Sequence, residues 1–174
     1  ASSGIVDTTN WYGGSSDFTF SAFVTRTSST QFTIFARHVS MVSSGFLLNM
    51  LADGNIRFEP YGKFTGSYAY ESSTTCVISF ATLASSTPIG VGQLTHLAFV
   101  RRSQSFELYI DAALSCSGRL TSDVRWEDAA GIVSPDNLVL GAHYSGTSAT
   151  AGLFQGKIEK ARMFNSALSA STIA

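Results

Sequence analysis

Charge is what this sequence has least of. Asp, Glu, Lys and Arg supply 13% of its residues, about half the share usual in a soluble domain. The 11 basic and 12 acidic side chains nearly cancel, to a formal net charge of −1, and no basic run stands out. The electrostatic footprint of a nucleic-acid binder is therefore missing, and an anionic membrane surface is disfavoured for the same reason. Long apolar runs are missing too. The longest, Phe46 to Leu51, is broken by Asn49, so no membrane insertion is expected. No charged segment followed by an apolar one opens the chain, as a signal peptide would. It begins at Ala1 and reads as a mature protein or as a domain excised from a longer one. Helix formers are sparse, and no long segment keeps a 3.6-residue period. The 2 cysteines, Cys76 and Cys116, are too few for a Cys-only zinc site. They leave one disulfide or two buried thiols. The disulfide is the expectation, because low charge with abundant Ser and Thr suits an extracellular or secreted protein. No Asn-x-Ser/Thr sequon occurs.

What fills the space left by charge is Ser, Thr and Gly, with 13 Phe and 6 Tyr. Phe, Tyr, Val, Ile and Thr suit a pleated, half-buried surface, so the composition points to an all-β protein. The 174 residues are read as one domain, 1–174. Alternation marks the strands. Phe18, Phe20, Ala22 and Val24 share one face of a strand over 18–25, and 31–37 repeats the pattern with Phe32, Ile34 and Ala36. A strand over 46–51 turns at Asp53-Gly54, a strong hairpin signal, into a return strand at 56–59. Strands follow at 76–82, 95–101, 106–111, 138–141 and 156–164. The stretches 60–75 and 112–137 read as long connections. Shared parity predicts a core of Phe18, Phe20, Phe32, Leu48, Phe58, Ile78, Phe99, Leu108, Ile110 and Leu140.

The C-terminal half resembles a known pattern. Gly92-Gln-Leu-Thr-His-Leu-Ala-Phe-Val-Arg followed by Phe106-Glu-Leu-Tyr-Ile-Asp-Ala is similar to paired strands of laminin-G-like, concanavalin A-like jelly rolls. Leu138-Val-Leu-Gly resembles the next strand, and the segment from Phe154 to Ser169 resembles the closing strand and terminal turn. Phe18 to Val24 resembles an early strand. Leu94 stands where such sequences often carry Trp, and Ala112 where they carry the turn Gly. The resemblance implies a two-sheet antiparallel jelly-roll sandwich. Carbohydrate-binding modules, adhesion domains, often with a calcium ion, and some glycan-cleaving enzymes share that architecture, and fold alone does not choose among them.

The residues favour binding over catalysis. The nearest acidic pattern, Glu107-x-Tyr109-x-Asp111, spaces its carboxylates roughly 13 Å apart along a strand, whereas glycosidases need about 5 to 9.5 Å. The richest stretch is Asp123-Val-Arg-Trp-Glu-Asp. There Trp126 could stack on a sugar face while Arg125 and Asp123 hydrogen-bond its hydroxyls. Alternatively Asp123, Glu127 and Asp128 could hold calcium, or Trp126 could plug one end of the sandwich. His96 is expected on the sheet face opposite Leu97 and Phe99. His143 and Tyr144 follow a strand where rim loops emerge, and Tyr61 opens a Tyr-rich segment of the kind found in binding loops. The expectation is a non-catalytic, lectin-like module that binds a neutral or weakly charged glycan. A laminin-G-type domain binding a protein partner is the alternative, and a glycan-cleaving enzyme a more distant one.

Overall fold

The computed structural model describes residues 5–6, 17–37, 45–61, 70–72, 77–79, 82–85, 87–103, 105–120, 138–145 and 148–173. Its strands are β1 (Ile5–Val6), β2 (Phe18–Arg26), β3 (Phe32–Arg37), β4 (Gly45–Met50), β5 (Ile56–Tyr61), β6 (Tyr70–Ser72), β7 (Val77–Ser79), β8 (Thr82–Ala84), β9 (Leu94–Arg102), β10 (Ser105–Ile110), β11 (Ala113–Leu120), β12 (Leu138–Leu140), β13 (His143–Ser145), β14 (Ser148–Ala151) and β15 (Gly156–Phe164). A short helix, α1 (Ala170–Ile173), closes the described chain. Seven strands form one sheet in the order β1-β12-β3-β4-β5-β8-β7, and six form the other in the order β15-β2-β9-β10-β11-β6. All pairings are antiparallel, and β13 and β14 make a separate ribbon. This is the two-sheet antiparallel sandwich that the resemblance implies.

Phenylalanine joins the two sheets. Phe20 of β2 stacks on Phe35 of β3 at 4.3 Å, and Phe58 of β5 stacks on Phe99 of β9 at 4.5 Å. Phe106 of β10 also crosses to Phe58, at 4.8 Å, and within the six-stranded sheet Phe18 of β2 lies 5.9 Å from Phe99. Offset aromatic contacts of this kind add to the large apolar area each ring removes from water. Of the predicted core, Phe18, Phe20, Phe32, Leu48, Phe58, Phe99, Leu108 and Ile110 belong to the buried cluster, with Leu140 packed against it. Ile78 is in β7, and its side chain lies outside the described part.

Three expectations about elements are corrected. The stretches 60–75 and 112–137 are not simple connections: the first holds β6 and the second begins with β11. In β11, small residues such as Ser115, Ser117 and Gly118 replace the bulky alternation that marks a strand in sequence. The third correction is in β3. A bulge there sets Thr33 opposite Asn49 but Phe35 opposite Leu48. Ile34 and Phe35 therefore both enter the core, and Ala36 moves to the other face opposite Leu47. An inserted residue resets the period-two alternation.

The outer face of the six-stranded sheet carries a smaller cluster. Ala98, Val100 and Tyr109 pack there against Ile173 of α1 and against Ala167 and Leu168. Thr19 pins this C-terminal segment, donating to Ser166 O at 2.8 Å and accepting from Leu168 N at 2.9 Å.

The two-residue turn between β10 and β11 holds Asp111 at φ 48° and Ala112 at φ 66°. Positive φ at both central positions is the type I′ arrangement that matches strand twist. Asp tolerates it, but Ala has a Cβ and no compensating hydrogen bond. Relief of about 1–2 kcal/mol of left-handed strain should outweigh the roughly 0.5–1 kcal/mol entropic cost of glycine. Ala112→Gly is thus expected to raise stability by up to about 1 kcal/mol, read as a higher urea midpoint at unchanged slope. A lower midpoint would refute the strain argument.

Candidate functional site

The parity that puts Leu48, Met50, Ile56 and Phe58 in the core puts Asn49, Arg57 and Glu59 on the opposite face of the seven-stranded sheet. The β3 bulge adds Thr33 beside Asn49. These side chains form a polar row across three strands. Thr33 Oγ1 donates to Asn49 Oδ1 at 2.9 Å, Asn49 Nδ2 donates to Glu59 Oε1 at 3.1 Å, and Arg57 Nη2 pairs with the same Glu59 oxygen. Thr33 and Asn49 are buried, so the row is held from beneath while Arg57 and Glu59 remain partly accessible.

His143 completes the row from the β13–β14 ribbon, its Nδ1 lying 2.7 Å from Thr33 Oγ1. Thr33 has one hydroxyl proton, and Asn49 receives it. His143 Nδ1 must therefore be the donor, which leaves Nε2 as an acceptor. Gly152 makes room for this ring. Its φ is 62°, and a Cβ there would lie 2.6 Å from His143 Nδ1 and 2.7 Å from Thr33 Oγ1. The backbone of Gly152 also accepts from Thr33 N at 2.8 Å. The Nδ1 edge of the imidazole is thus packed against backbone. Arg57 Nε, by contrast, is a buried donor with no hydrogen-bond partner, a costly state for a polar atom. The row combines an amide, a carboxylate, a guanidinium and an imidazole, which suits a ligand rich in hydroxyl groups. Among the described residues it holds one carboxylate, Glu59, and no group of three or more His, Cys, Asp and Glu side chains gathers as a cation site.

The sequence-predicted residues distribute as follows. His143 belongs to the row. Tyr61 ends β5 opposite Gly45 and Tyr144 is the middle residue of β13, with side chains outside the described part. Asp123, Arg125, Trp126, Glu127 and Asp128 lie outside the described residues, as does Cys76. Cys116 is wholly buried on β11, and no free cysteine occurs among the described residues. His96 is far from His143 in the fold. It lies on the outer face of the other sheet, with Nε2 2.8 Å from Ser21 Oγ, its backbone N–H donating to Asp111 Oδ1 at 2.8 Å and its ring 4.9 Å from Phe23. Glu107 and Asp111 take structural roles: Tyr109 donates its hydroxyl to Glu107 at 2.9 Å. Sequence reasoning passed over Thr33, Asn49, Arg57 and Glu59. The available signals were an Asn inside the apolar run of β4 and two opposite charges two residues apart in β5.

Known proteins with this architecture are found across the whole chain. The family described as the concanavalin A-like lectin/glucanases superfamily matches residues 2–174. No curated protein matches the sequence. Among solved structures, the CBM40 of the Ruminococcus gnavus IT-sialidase has a TM-score of 0.69 and 17% identity over 99% of this chain and 92% of that one. The same module has been solved bound to alpha2,3 sialyllactose. Domain 4 of AbnA, an extracellular arabinanase of Geobacillus stearothermophilus, in complex with arabinotriose, has a TM-score of 0.60 and 17% identity over 99% of this chain and 80% of that one. Domains LG4-5 of the mouse laminin alpha1 chain give 0.60 and 14%, over 98% of this chain and 41% of that one. These likenesses establish the fold.

Burial lowers both imidazoles below their ordinary range, against the upward pull of Glu59 on His143 and of Asp111 on His96. The folded chain therefore resists protons that the unfolded chain accepts. Stability from these groups is complete above about pH 6.5, the ordinary imidazole value, and is lost as pH falls through and below it. Thermal unfolding between about pH 7.5 and about pH 5.5 should show Tm falling toward acid, with a shallower fall in His143→Gln and in His96→Gln. A profile unchanged by both substitutions would contradict the assignment.

Proposed function

The chain belongs to the concanavalin A-like lectin/glucanases superfamily, and we propose that it is a non-catalytic carbohydrate-binding module of a secreted or cell-surface protein. The observation that carries this reading is the polar row on the seven-stranded sheet. Its members are fixed by one another and by backbone before any ligand arrives, and preorganised polar groups on a rigid sheet give orientation at low entropic cost. A sugar hydroxyl both donates and accepts. The partly exposed Arg57 guanidinium offers it a donor, and His143 Nε2 an acceptor. Modules of this fold that hold sialyllactose and arabinotriose support the class of ligand. We take the ligand to be a neutral or weakly charged glycan, with Asp123, Arg125, Trp126, Tyr61 and Tyr144 as further proposed contacts and calcium at Asp123, Glu127 and Asp128 as a proposed aid. His96, on the other sheet, is not part of this site.

A glycan array with and without calcium tests the reading, followed by titration of the best ligand. A hydrogen bond to a charged group contributes about 1.5–3 kcal/mol, so Arg57→Ala should weaken binding by roughly tenfold to a hundredfold. Its urea midpoint should stay near the parent's, because a partly exposed ion pair contributes little. Full binding by Arg57→Ala would remove the row from the site. Capture of a protein with no glycan bound would replace this reading with the laminin-G-type adhesion alternative. Release of a cleaved sugar would make the domain an enzyme.

Secretion carries a second expectation, a bridge between Cys76 and Cys116. Closing a loop of about 40 residues would stabilise by a few kcal/mol in the chain-entropy model. Peptide mass mapping without reductant, on protein from an oxidising host, should recover the linked pair. Two thiols that alkylate freely in native protein would refute it.

A further inference from the structure

The other sheet carries a second place where a ligand fits. On its outer face, beside α1, lies an open groove of about 480 Å³, within the size range of small-ligand sites. Ser21 and Phe23 of β2 and His96 of β9 line it, together with Asp111 of the β10–β11 turn and Lys160 and Arg162 of β15.

The two cations are there because β15 is bulged. Glu159 pairs with Phe23 and Arg162 with Ser21, so Lys160 and Ala161 together oppose Ala22. Lys160 sits at φ 50°, a left-handed conformation that costs an ordinary side chain energy. In an unbroken strand Lys160 and Arg162 would share a face with Ile158, which packs against the core. The bulge resets the alternation. Ile158 and Met163 both meet the core, while Lys160 and Arg162 line the groove, Lys160 Nζ lying 5.6 Å from the Phe23 ring centroid.

The charges do not balance within the groove. Among the described residues neither cation has a carboxylate within ion-pair distance; the pairs formed are Arg57–Glu59 and Arg102–Glu107. Asp111, the one acid in the lining, spends Oδ1 on the backbone N–H of His96. Glu159, across from Phe23, is not part of the lining. The remaining wall is the rings of Phe23 and Phe164, the His96 imidazole, the hydroxyls of Ser21 and Thr172, and small or aliphatic side chains.

We propose that this groove is a second binding site, for a carboxylate-bearing sugar of monosaccharide size. Lys160 and Arg162 receive the carboxylate, in charge-assisted hydrogen bonds that the guanidinium fork can make bidentate. Ser21 and His96 meet ring hydroxyls, and the exposed part of Phe23 meets the apolar face of the ring. The site stands apart from the polar row and does not depend on it.

The test is a titration of the intact domain with D-glucuronate, D-glucose and acetate, followed by NMR of the His96 imidazole and Phe23 ring resonances. Glucuronate should shift both sets saturably, glucose and acetate should bind about tenfold more weakly or less, and added salt should weaken the glucuronate complex. Lys160→Asn with Arg162→Gln keeps a residue that tolerates positive φ and removes both charges. It should cost about tenfold or more in glucuronate affinity. Arg57→Ala should leave glucuronate binding intact, which separates failure of this site from failure of the polar row. Glucuronate shifts that survive the double substitution, glucose bound as tightly as glucuronate, acetate bound as tightly as glucuronate, or no saturable shift would each overturn the proposal.

Discussion

The contact between Phe58 and Phe99 is the constraint from which the rest of the structure follows. It holds the centre of one sheet against the centre of the other, and Phe106, Phe18, Phe20 and Phe35 extend the same layer. A strand side chain has only two directions. Once Phe58 points inward, Arg57 and Glu59 must point outward; Leu48 inward forces Asn49 outward, and Leu97 inward forces His96 outward. The polar row and the cationic groove are thus the reverse sides of the same apolar choice. With 13 Phe in a chain that is only 13% charged, the few polar side chains left on the sheets stand out chemically.

Where the fold departs from simple alternation, it does so at places that matter for chemistry. The β3 bulge lets Ile34 and Phe35 both fill the core and still leaves Thr33 beside Asn49. The β15 bulge turns two cations out of the core side. The β10–β11 turn accepts strain at Ala112 while Asp111 caps the backbone of His96. Bulges and left-handed residues are local costs, and the aromatic layer supplies the stability against which they are held. The two outer faces differ accordingly. One is a closed network whose charges are neutralised internally by Arg57 and Glu59. The other is an open groove with unneutralised cations.

The core strands were legible in the sequence because they carry bulky residues at period two, and their resemblance to laminin-G-like strands implied the sandwich. Phe18 and Phe20, Leu48, Phe58, Phe99 and Leu108 declare their face without help from any neighbour. The strand β11 was not legible, because Ser115, Ser117 and Gly118 give no amphipathic signal and its place is set by pairing with β10. The polar row was hidden for a different reason. Thr33, Asn49, Glu59 and His143 are separated by up to 110 positions and meet only through strand register, which sequence alternation does not encode. The stronger signal in the sequence is the cluster of unusual residues around Trp126. The sequence signal in β4 and β5 was present but ordinary, one amide and one charge pair among many surface-facing positions.

Strand order also has a consequence for how the chain is made. β2 is among the first strands to leave the ribosome, yet it lies between β9 and β15, and Thr19 finds Ser166 only 147 positions later. At about 5–20 residues per second, roughly 7 to 30 seconds separate the appearance of Phe18 and Phe20 from that of their last partner strand. One edge of β2 waits for β9 and the other for β15, so the second edge stays open to pairing with another chain through the whole interval. The six-stranded sheet therefore cannot be completed until β15 has been made. It closes late, in a step that joins the two ends of the described chain, and a nascent domain stalled before β15 would present β2 as an adhesive edge.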